Sequence, residues 1–280
     1  MSDQYALFGY PVQHSWSPFI HGMFARQTGQ DMVYRLHETP SERFRSEVLA
    51  FFSSGGRGIN VTVPHKRAAA DLVNELTPRA QLADAVNTVV HREGGLVGDN
   101  TDGAGLLADL TRNLGLRWKS PRILLLGAGG AARGALEPLL SLRPARVVIA
   151  NRTAERAVAL AEEFEEFGPV TGCEFAKLES QRFDLIVNAT SASLRGDVPL
   201  IPIGVVDSMT TCYDMAYGVG DTAFVTWARR LGAARAEQGW GMLVEQAAEA
   251  FELWRGVRPD TAPVLEALRK RAQTAPGTRS

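Results

Sequence analysis

The stretch Leu126–Arg133, with the sequence LGAGGAAR, decides the fold of this chain. It follows an apolar run, Arg122–Leu126, and opens a helical pattern that extends to about Leu142, after which a second apolar run, Arg146–Ala150, begins. The spacing fits G-x-G-x-x-G/A, with Ala132 in the third place. In a dinucleotide-binding βαβ unit, the first glycine of this motif makes a tight turn and the second lets the backbone approach the pyrophosphate. The small third residue lets the helix pack closely on the strand. The stretch therefore predicts dinucleotide binding, although a plain strand–turn–helix also uses small residues.

The residues after the second apolar run indicate which dinucleotide is bound. A site for NAD usually has an acidic residue there, which binds the ribose 2′-hydroxyl. This chain instead has Asn151, Arg152, Thr153 and, three residues later, Arg156. A helix that begins near Thr153 places both arginines on one side, where they would bind a 2′-phosphate. The alternative is two solvated arginines with Thr153 as an ordinary N-cap, but cations are unfavourable at a helix N-terminus. The pattern favours NADP over NAD.

Apolar runs and helical patterns alternate along most of the chain. Strands are predicted at 5–8, 58–63, 85–90, 122–126, 146–150, 183–188 and 211–215, and helices at 18–27, 68–76, 104–114, 130–142, 154–164, 241–254 and 262–272. The alternation predicts an α/β fold with a parallel sheet covered on both faces. We expect two domains: a doubly wound Rossmann-type dinucleotide-binding domain at 103–239, and an N-terminal α/β substrate domain made of 1–102 with 240–280. A polar tail from about 272 to 280 is expected to fray.

Length and composition limit the class of protein. A chain of 280 residues suits two domains, and 30 Lys and Arg against 31 Asp and Glu give a formal charge of -1. Such a balance provides no basic surface for nucleic acid or an anionic membrane. No stretch reads as a signal peptide or a membrane span. The two cysteines and five histidines show no metal-ligand spacing. We expect a cytoplasmic protein without a metal, a nucleic-acid partner or a membrane anchor.

The N-terminal segments supply candidates for acid–base chemistry, which a nicotinamide enzyme needs because a proton accompanies the hydride. Lys66 lies where a helix begins, just after Pro64. The helix dipole there disfavours its positive charge, which suits a group that exchanges a proton, although an exposed lysine on a first turn is the ordinary alternative. Asp102 precedes a helix expected from Ala104. It could cap that helix, or it could pair with Lys66 and orient it.

A pair of serines near the first helix is a candidate anion site. Ser17 with Pro18 forms a ready N-cap and first turn, whereas Ser15 has no evident structural role. Two hydroxyls, together with the free N–H groups of a helix start, could bind a carboxylate. A hydrolase that uses His14 and Ser15 is disfavoured, because these residues are adjacent and the chain has no G-x-S-x-G nucleophile elbow.

In their order along the chain, these segments resemble the shikimate dehydrogenase family. The matching pieces run through both expected domains: FGxP and HSxSP within 8–18, NVTVPxK at 60–66, AVNT at 85–88, GDNTDG at 98–103, GAGGA at 127–131, NRTxxR at 151–156, NAT at 188–190, YDMxY at 213–217 and GxGMLVxQA at 239–247. The resemblance implies reversible, NADP-dependent reduction of 3-dehydroshikimate to shikimate in aromatic amino-acid biosynthesis, by a monomer or a homodimer.

The resemblance also implies roles for individual residues. Lys66 would be the acid–base group, with Asp102 beside it. The substrate would be bound by Ser15 and Ser17 at its carboxylate, with Tyr217 nearby, and by Thr62, Asn87, Asp102 and Gln246 at its ring hydroxyls. The cofactor would be lined by Gly127, Ala128, Gly129, Gly130, Ala131, Asn151, Arg152, Thr153, Arg156, Met215 and Gly239.

Three positions depart from the family pattern. Tyr10 replaces a small polar residue between a glycine and a proline, close to the serine pair, and it could alter substrate choice. Gln238 and Trp240 flank Gly239, where Asp or Asn and Leu are more usual. We expect Trp240 to act mainly by packing.

Three other functions stay open. The nearest is a quinate/shikimate dehydrogenase of the same superfamily, with broader substrate or cofactor use. A relative that acts on folate or amino acids would share the two-domain architecture, but it is not expected to carry the serine pair with Asp102 and Gln246. A non-catalytic NADP-binding regulator would have no need of Lys66, Asp102, Ser15 and Gln246 together. Fold alone does not decide among them.

Overall fold

The computed structural model describes residues 2–274, without the side chain of Leu194. Its contacts divide it into two compact units. The first unit comprises Met1–Gly105 with Leu243–Leu268, and the second comprises Leu106–Met242 with Arg269–Ser280. Within the described residues, each unit contains a sheet of six strands. The part of the predicted polar tail from 275 on lies outside the described residues, and the part before it ends a helix.

The first unit contains a mixed sheet. Its strands are β1 (Asp3–Gly9), β2 (Met32–Glu38), β3 (Gly56–Val61), β4 (Glu75–Leu76), β5 (Thr88–Arg92) and β6 (Gly95–Asp99), in the order β2-β1-β3-β5-β6-β4. β1 is parallel to β2 and β3, whereas β5 is antiparallel to β3 and β6. The all-parallel sheet expected from the alternation is therefore wrong for this unit. A tight turn at Gly94, which has a φ of 103°, connects β5 to β6. A hairpin of this kind joins only antiparallel strands.

The helices that lie wholly or partly in the first unit are α1 (Ser17–Thr28), α2 (Phe44–Ser53), α3 (Lys66–Ala70), α4 (Pro78–Ala83), α5 (Asp102–Ala108), α9 (Trp240–Arg255) and α10 (Ala262–Thr274). The predicted helix at 68–76 is too long, because α3 ends at Ala70. Beyond it, Asn74 exchanges hydrogen bonds of 2.8 Å with the backbone of Leu96, and this pairing draws the chain into the sheet. Helix α9 completes the core, where Phe251 packs on Phe24 with 5.6 Å between ring centroids.

The second unit contains a wholly parallel sheet. Its strands are β7 (Arg122–Leu126), β8 (Arg146–Asn151), β9 (Val170–Glu174), β10 (Leu185–Asn188), β11 (Thr211–Asp214) and β12 (Arg235–Gln238), in the order β12-β11-β10-β7-β8-β9. Helices α6 (Gly130–Ser141), α7 (Ala154–Glu163) and α8 (Ala223–Arg230) connect them. The chain order reverses between β7 and β10, and such a reversal is where dinucleotides bind in sheets of this kind. The predicted Rossmann-type fold is confirmed.

Five strands were not predicted: β2, β4 and β6 in the first sheet, and β9 and β12 in this one. All of them except β6 lie at sheet edges. The edge strands β2, β9 and β12 have the sequences MVYRLHE, VTGCE and RAEQ, which lack a continuous apolar run, and β4 has only two residues. An edge strand is partly exposed to water, so it does not need the apolar run that marks a central strand such as β7. No helix in the described part of the chain is long and apolar enough to cross a membrane.

Candidate functional site

Lys66 and Asp102 form an ion pair in the first unit. Lys66 begins α3 and Asp102 begins α5, and Lys66 Nζ donates to Asp102 Oδ2. The two side chains are 30% and 22% exposed, so a ligand can reach both. Asp102 does not precede a helix that begins at Ala104, since it lies in the first turn itself. Asn100 Oδ1 accepts the Asp102 N–H at 3.1 Å, which leaves the Asp102 carboxylate for other partners.

Asn87 joins this ion pair to a network of amide and hydroxyl groups. Its Nδ2 donates to Asp102 Oδ1 at 2.8 Å and to Thr101 Oγ1 at 2.9 Å, and it lies 3.3 Å from Gln246 Oε1. Its Oδ1 accepts the Thr101 N–H at 2.8 Å. Gln246 is held in turn by a bond of 2.9 Å from its Nε2 to the carbonyl of Leu243. An amide with both ends engaged keeps one orientation, so this site is ordered before any ligand arrives.

Ser15 and Ser17 contact each other at the start of α1. Ser15 Oγ donates to Ser17 Oγ at 3.1 Å and accepts the Ser17 N–H at 3.2 Å. Trp16 occupies the N-cap position and its side chain makes no capping bond, so the N-cap role expected of Ser17 is wrong. The structural role belongs instead to Ser15, whose hydroxyl satisfies a backbone donor two residues ahead.

Thr62 follows β3 and packs against β1. Its N–H donates to the carbonyl of Phe8 at 2.9 Å, and a β-carbon on Gly9 would lie only 2.4 Å from Thr62 Cγ2. Position 9 therefore requires glycine. The next residue, Tyr10, donates its N–H to the carbonyl of Val63 at 3.0 Å, and its side chain is 51% exposed. Tyr10 thus stands beside the segment that carries Thr62 and continues to α3.

Tyr34 and Asn60 extend the network, although the sequence did not single them out. The Tyr34 hydroxyl donates to Asn60 Oδ1 at 2.8 Å, and Asn60 Nδ2 donates to Thr88 Oγ1 at 3.0 Å. Burial raises the pKa of Tyr34, and a hydrogen bond with Ser17 partly offsets it, so the phenol stays protonated as a donor. Asn60 belongs to the NVTVPxK piece, which was the available signal, whereas Tyr34 lies in the unpredicted strand β2.

In the second unit, the glycine loop leaves open space at the N-terminus of α6. Gly127 has a φ of +103°, which other residues rarely adopt, and it donates its N–H to the carbonyl of Ala150 at 2.8 Å. Gly129 is the N-cap residue, and no side chain caps α6. A β-carbon on Gly129 or Gly130 would meet no protein atom within 4 Å. These glycines are not required by the protein's own packing, and uncapped N–H groups beside open space fit a pyrophosphate.

Arg152 and Arg156 lie exposed at the start of α7. The helix begins at Ala154 with Thr153 in the N-cap position, but the Thr153 side chain makes no capping bond. Asn151 Nδ2 donates to the carbonyl of Thr153 at 3.0 Å and shapes the turn. Neither arginine has an ion-pair partner among residues 2–274. Two cations at a helix N-terminus are unfavourable without an anion, so the pair fits a phosphate.

The remaining predicted cofactor residues follow β11 and β12. The Met215 N–H donates to the carbonyl of Asn188 at 3.0 Å. A β-carbon on Gly239 would lie 2.5 Å from the Met215 carbonyl oxygen, so only glycine fits there. Tyr217 also belongs to the second unit, and its ring packs on Trp240 with 4.7 Å between centroids. Trp240 is buried, in keeping with a packing role.

Gln238, the other departure beside Gly239, fixes a neighbouring loop. Its Oε1 accepts the Gly218 N–H at 2.9 Å, and its Nε2 donates to the Gly220 carbonyl at 2.8 Å. Among the described residues, no group of three or more His, Cys, Asp or Glu side chains could hold a metal ion.

Three family models match the chain. Their descriptions are Shikimate dehydrogenase substrate binding domain over residues 7–89, Shikimate / quinate 5-dehydrogenase over 109–195, and Shikimate 5'-dehydrogenase C-terminal domain over 239–269. A curated relative named Shikimate dehydrogenase (NADP(+)), from Methylococcus capsulatus, is 54% identical over 274 residues, which cover 98% of either chain.

Solved structures are similar over nearly the whole chain. An Ael1 enzyme from Pseudomonas putida is 47% identical with a TM-score of 0.90, and the match covers 95% of this chain and 98% of that one. Shikimate 5-dehydrogenase from Thermus thermophilus, solved in complex with NADP(H) and shikimate, is 35% identical with a TM-score of 0.83, over 96% of this chain and 99% of that one.

Proposed function

The chain belongs to the shikimate dehydrogenase family, and from this premise we propose that it catalyses the reversible NADPH-dependent reduction of 3-dehydroshikimate to shikimate. The observation that carries the proposal is the partly exposed Lys66–Asp102 ion pair, held by Asn87 in a site of neutral amides and hydroxyls. The first unit binds the substrate, and the second binds NADP.

A small polyhydroxylated acid matches the groups of the first unit. The serine pair, Ser15 and Ser17, binds the carboxylate, and the proposal includes Tyr217 of the second unit as a further contact. The ring hydroxyls are bound by Thr62, Asn87, Asp102 and Gln246. Hydrogen bonds to substrate hydroxyls discriminate strongly, because an analogue that lacks one leaves a buried polar group without a partner.

Proton transfer is assigned to Lys66. NADPH, when bound, supplies the hydride that reduces the carbonyl carbon. The Asp102 carboxylate holds Lys66 Nζ in place, and Lys66 as an ammonium gives a proton to the carbonyl oxygen. Asn87 holds the other Asp102 oxygen and so keeps the ion pair in one orientation. In the oxidative direction, neutral Lys66 takes the proton from the substrate hydroxyl.

The cofactor is assigned to three parts of the second unit. The loop and first turn of α6 bind the pyrophosphate through the backbone of Gly127, Ala128, Gly129, Gly130 and Ala131. The segment before α7 and the first turn of that helix bind the adenosine half, with Asn151 and Thr153 shaping the turn and Arg152 and Arg156 binding the 2′-phosphate. Met215 and Gly239 contact the nicotinamide half.

The proposal is tested by following cofactor reduction in a grid of shikimate or quinate, each with NADP+ or NAD+. We expect rapid turnover only with shikimate and NADP+. No turnover in any combination by a protein that still binds NADPH would contradict the catalytic assignment of Lys66.

A second candidate is a quinate/shikimate dehydrogenase with broader substrate or cofactor use. The observation in its favour is the exposed Tyr10, which lies next to the segment that carries Thr62. Comparable rates with quinate would support it, and Tyr10→Asn should then shift the ratio of kcat/KM for quinate and shikimate.

The proposal also includes a working location in the cytoplasm and a monomeric or homodimeric state. Sedimentation velocity of the purified protein at micromolar concentration would test the oligomeric state. Fractionation of the source cells, with the protein detected by antibody, would test the location.

A further inference from the structure

Asp214, the last residue of β11, is a fully buried carboxylate bound only by neutral donors. Its Oδ2 accepts from Ser193 Oγ at 2.6 Å and from Thr222 Oγ1 at 2.7 Å. Its Oδ1 accepts from Asn188 Nδ2 at 3.1 Å and from the Ala216 N–H at 3.2 Å. No cationic side chain of the described residues pairs with it. A buried charge is costly unless hydrogen bonds satisfy it, so this carboxylate holds its four donors firmly in place.

These four donors come from different segments at the carboxyl edge of the sheet. Asn188 ends β10, Ser193 begins a 3-10 turn, Ala216 follows β11, and Thr222 is the N-cap of α8. Asp214 therefore connects the ends of two neighbouring strands with the two segments that follow them.

The same network reaches the glycine loop. Asn188 Oδ1 accepts the Thr190 N–H at 3.1 Å and the Thr190 hydroxyl at 2.7 Å. The atoms nearest to a β-carbon built on Gly127 are those of Ala189 and Thr190, at 3.2 to 3.3 Å. The position of Asp214 thus sets the backbone that lies directly beside the pyrophosphate loop.

The sheet order indicates which half of the cofactor lies over this network. The glycine loop follows the central strand β7, and Arg152 follows its neighbour on one side, β8. Because a dinucleotide lies across the carboxyl ends of such strands, a 2′-phosphate at Arg152 directs the other half of the cofactor to the opposite side. On that side are β10 and β11, the strands that Asp214 connects.

We propose that Asp214 is a positioning residue for the nicotinamide end of the cofactor, which it fixes by tying the ends of β10 and β11 together. This inference rests on the proposed use of NADP. Asp214 acts through Met215, whose N–H is bonded to the Asn188 carbonyl, and through the 189–190 backbone. The predicted consequence is an effect on the nicotinamide half of the cofactor and none on the adenosine half.

Asp214→Asn is the most informative variant, because it keeps the shape of the side chain and removes its negative charge. One acceptor oxygen becomes an NH2 group that faces donors. If the NH2 group faces Ser193 and Thr222, both hydroxyls must turn their protons to other acceptors, and if it faces Asn188 Nδ2 and the Ala216 N–H, two donors meet it that cannot reverse. The matched control is Asp184→Asn. Asp184 precedes the amino end of β10 and pairs with Arg122 at 2.8 Å, so this variant breaks an interaction at the opposite edge of the same sheet.

The experiment compares the Kd of NADPH with that of 2′,5′-ADP, which lacks the nicotinamide half, and adds kcat at saturating shikimate and NADP+. In Asp214→Asn we expect NADPH binding about 3- to 10-fold weaker, with 2′,5′-ADP binding unchanged. We expect kcat to fall roughly 10- to 100-fold, because small displacements of reacting groups are costly. Asp184→Asn should leave all three values as in the unmodified protein.

Equal weakening of NADPH and 2′,5′-ADP, or an unchanged kcat, would overturn the inference. If Asp214→Asn fails to give a folded protein by circular dichroism, Ser193→Ala decides instead. It removes one donor to Asp214 and should lower NADPH affinity and kcat about 2- to 5-fold, and values equal to the unmodified protein would overturn the inference. A protein that shows the predicted binding difference but does not oxidise shikimate would contradict the proposed function and leave the positioning role standing.

Discussion

The amide nitrogen of Asn87 lies 2.8 Å from Oδ1 of Asp102, while the ammonium of Lys66 donates to the other oxygen of that carboxylate. Both oxygens of Asp102 therefore have a partner before a substrate arrives. A carboxylate held at both ends cannot rotate freely, so it keeps Lys66 in one position. Oriented groups of this kind need little reorganisation during the reaction.

Replacing Lys66 with alanine should abolish most turnover and leave cofactor binding intact. The acid–base group is lost, which typically costs about 10²- to 10⁴-fold in kcat, while the cofactor groups of the second unit are unchanged. Steady-state kinetics and NADPH titration check both parts. The matched control is Arg67→Ala, because Arg67 is the next residue of α3 and forms an exposed ion pair with Asp84. A Lys66→Ala protein that retains more than about a tenth of kcat would rule out the assigned role.

Asp102→Asn should lower kcat about 100-fold, because it removes the carboxylate that holds Lys66 Nζ in position. If Asp102 acts through Lys66, the double variant Lys66→Ala/Asp102→Asn should be about as slow as Lys66→Ala alone. Rate losses that simply multiply in the double variant would show that Asp102 acts separately. Asp84→Asn, which breaks only the exposed pair with Arg67, serves as the control.

Arg152→Ala and Arg156→Ala should each weaken NADP+ binding about tenfold or more, since each removes charge-assisted bonds to a 2′-phosphate. The Kd of NAD+ should stay the same, because NAD+ lacks that phosphate. Calorimetric titration of both cofactors measures the two effects on one protein sample. If either substitution weakens NAD+ as much as NADP+, the arginine does not bind the 2′-phosphate.

His21→Phe should make the protein more resistant to acid. His21 is fully buried, and burial lowers its pKa to about 3, although a hydrogen bond with Asn60 partly offsets this. An unfolded chain binds that proton at about 6.5, so between these values the unfolded state holds more protons and the free energy of unfolding falls as the pH falls. The stability contributed by neutral His21 is fully present above pH 6.5. At pH 5 the loss is about 2 kcal/mol.

Urea unfolding at pH 7.5 and pH 5 measures this loss directly. The His21→Phe protein should lose about 2 kcal/mol less than the unmodified protein between the two values. His91→Phe is the control, because His91 is exposed. An equal loss in the His21→Phe and unmodified proteins would show that His21 does not control the acid sensitivity.

The nucleotide-binding half of the fold was predictable because short apolar runs and neighbouring glycines identify its central strands. The fully buried run Ile123–Leu126 and the glycines after it identify β7 and its loop without information from elsewhere in the chain. Strands β2, β9 and β12 escaped because polar residues are tolerated at a sheet edge. Their places depend on pairing with distant segments, which short-range patterns do not report.

The sequence motifs named individual site residues, but they did not predict the connections between them. The spacing of the polar motifs singled out Lys66 and Asp102, whereas the bond between Tyr34 and Asn60 depends on strands β2 and β3 being brought to the same region. The sequence likewise does not predict the burial of Asp214, because an acidic residue after a short apolar run is expected to be exposed. Polar groups that are buried and satisfied by distant partners carry no periodic signal.

Helix α9 gives the first unit a particular order of assembly on the ribosome. Residues 2–105 are synthesised first, but Trp254 donates to the Val89 carbonyl at 3.1 Å, and Gln246 lies in the Asn87 network. All six strands of the second sheet, from β7 to β12, precede α9 in the chain. The first unit is therefore completed only after every strand of the second sheet has been synthesised. A nascent chain arrested after β12 would contain all strands of the nucleotide-binding sheet, but it would lack Gln246, the partner of Asn87 in the first unit.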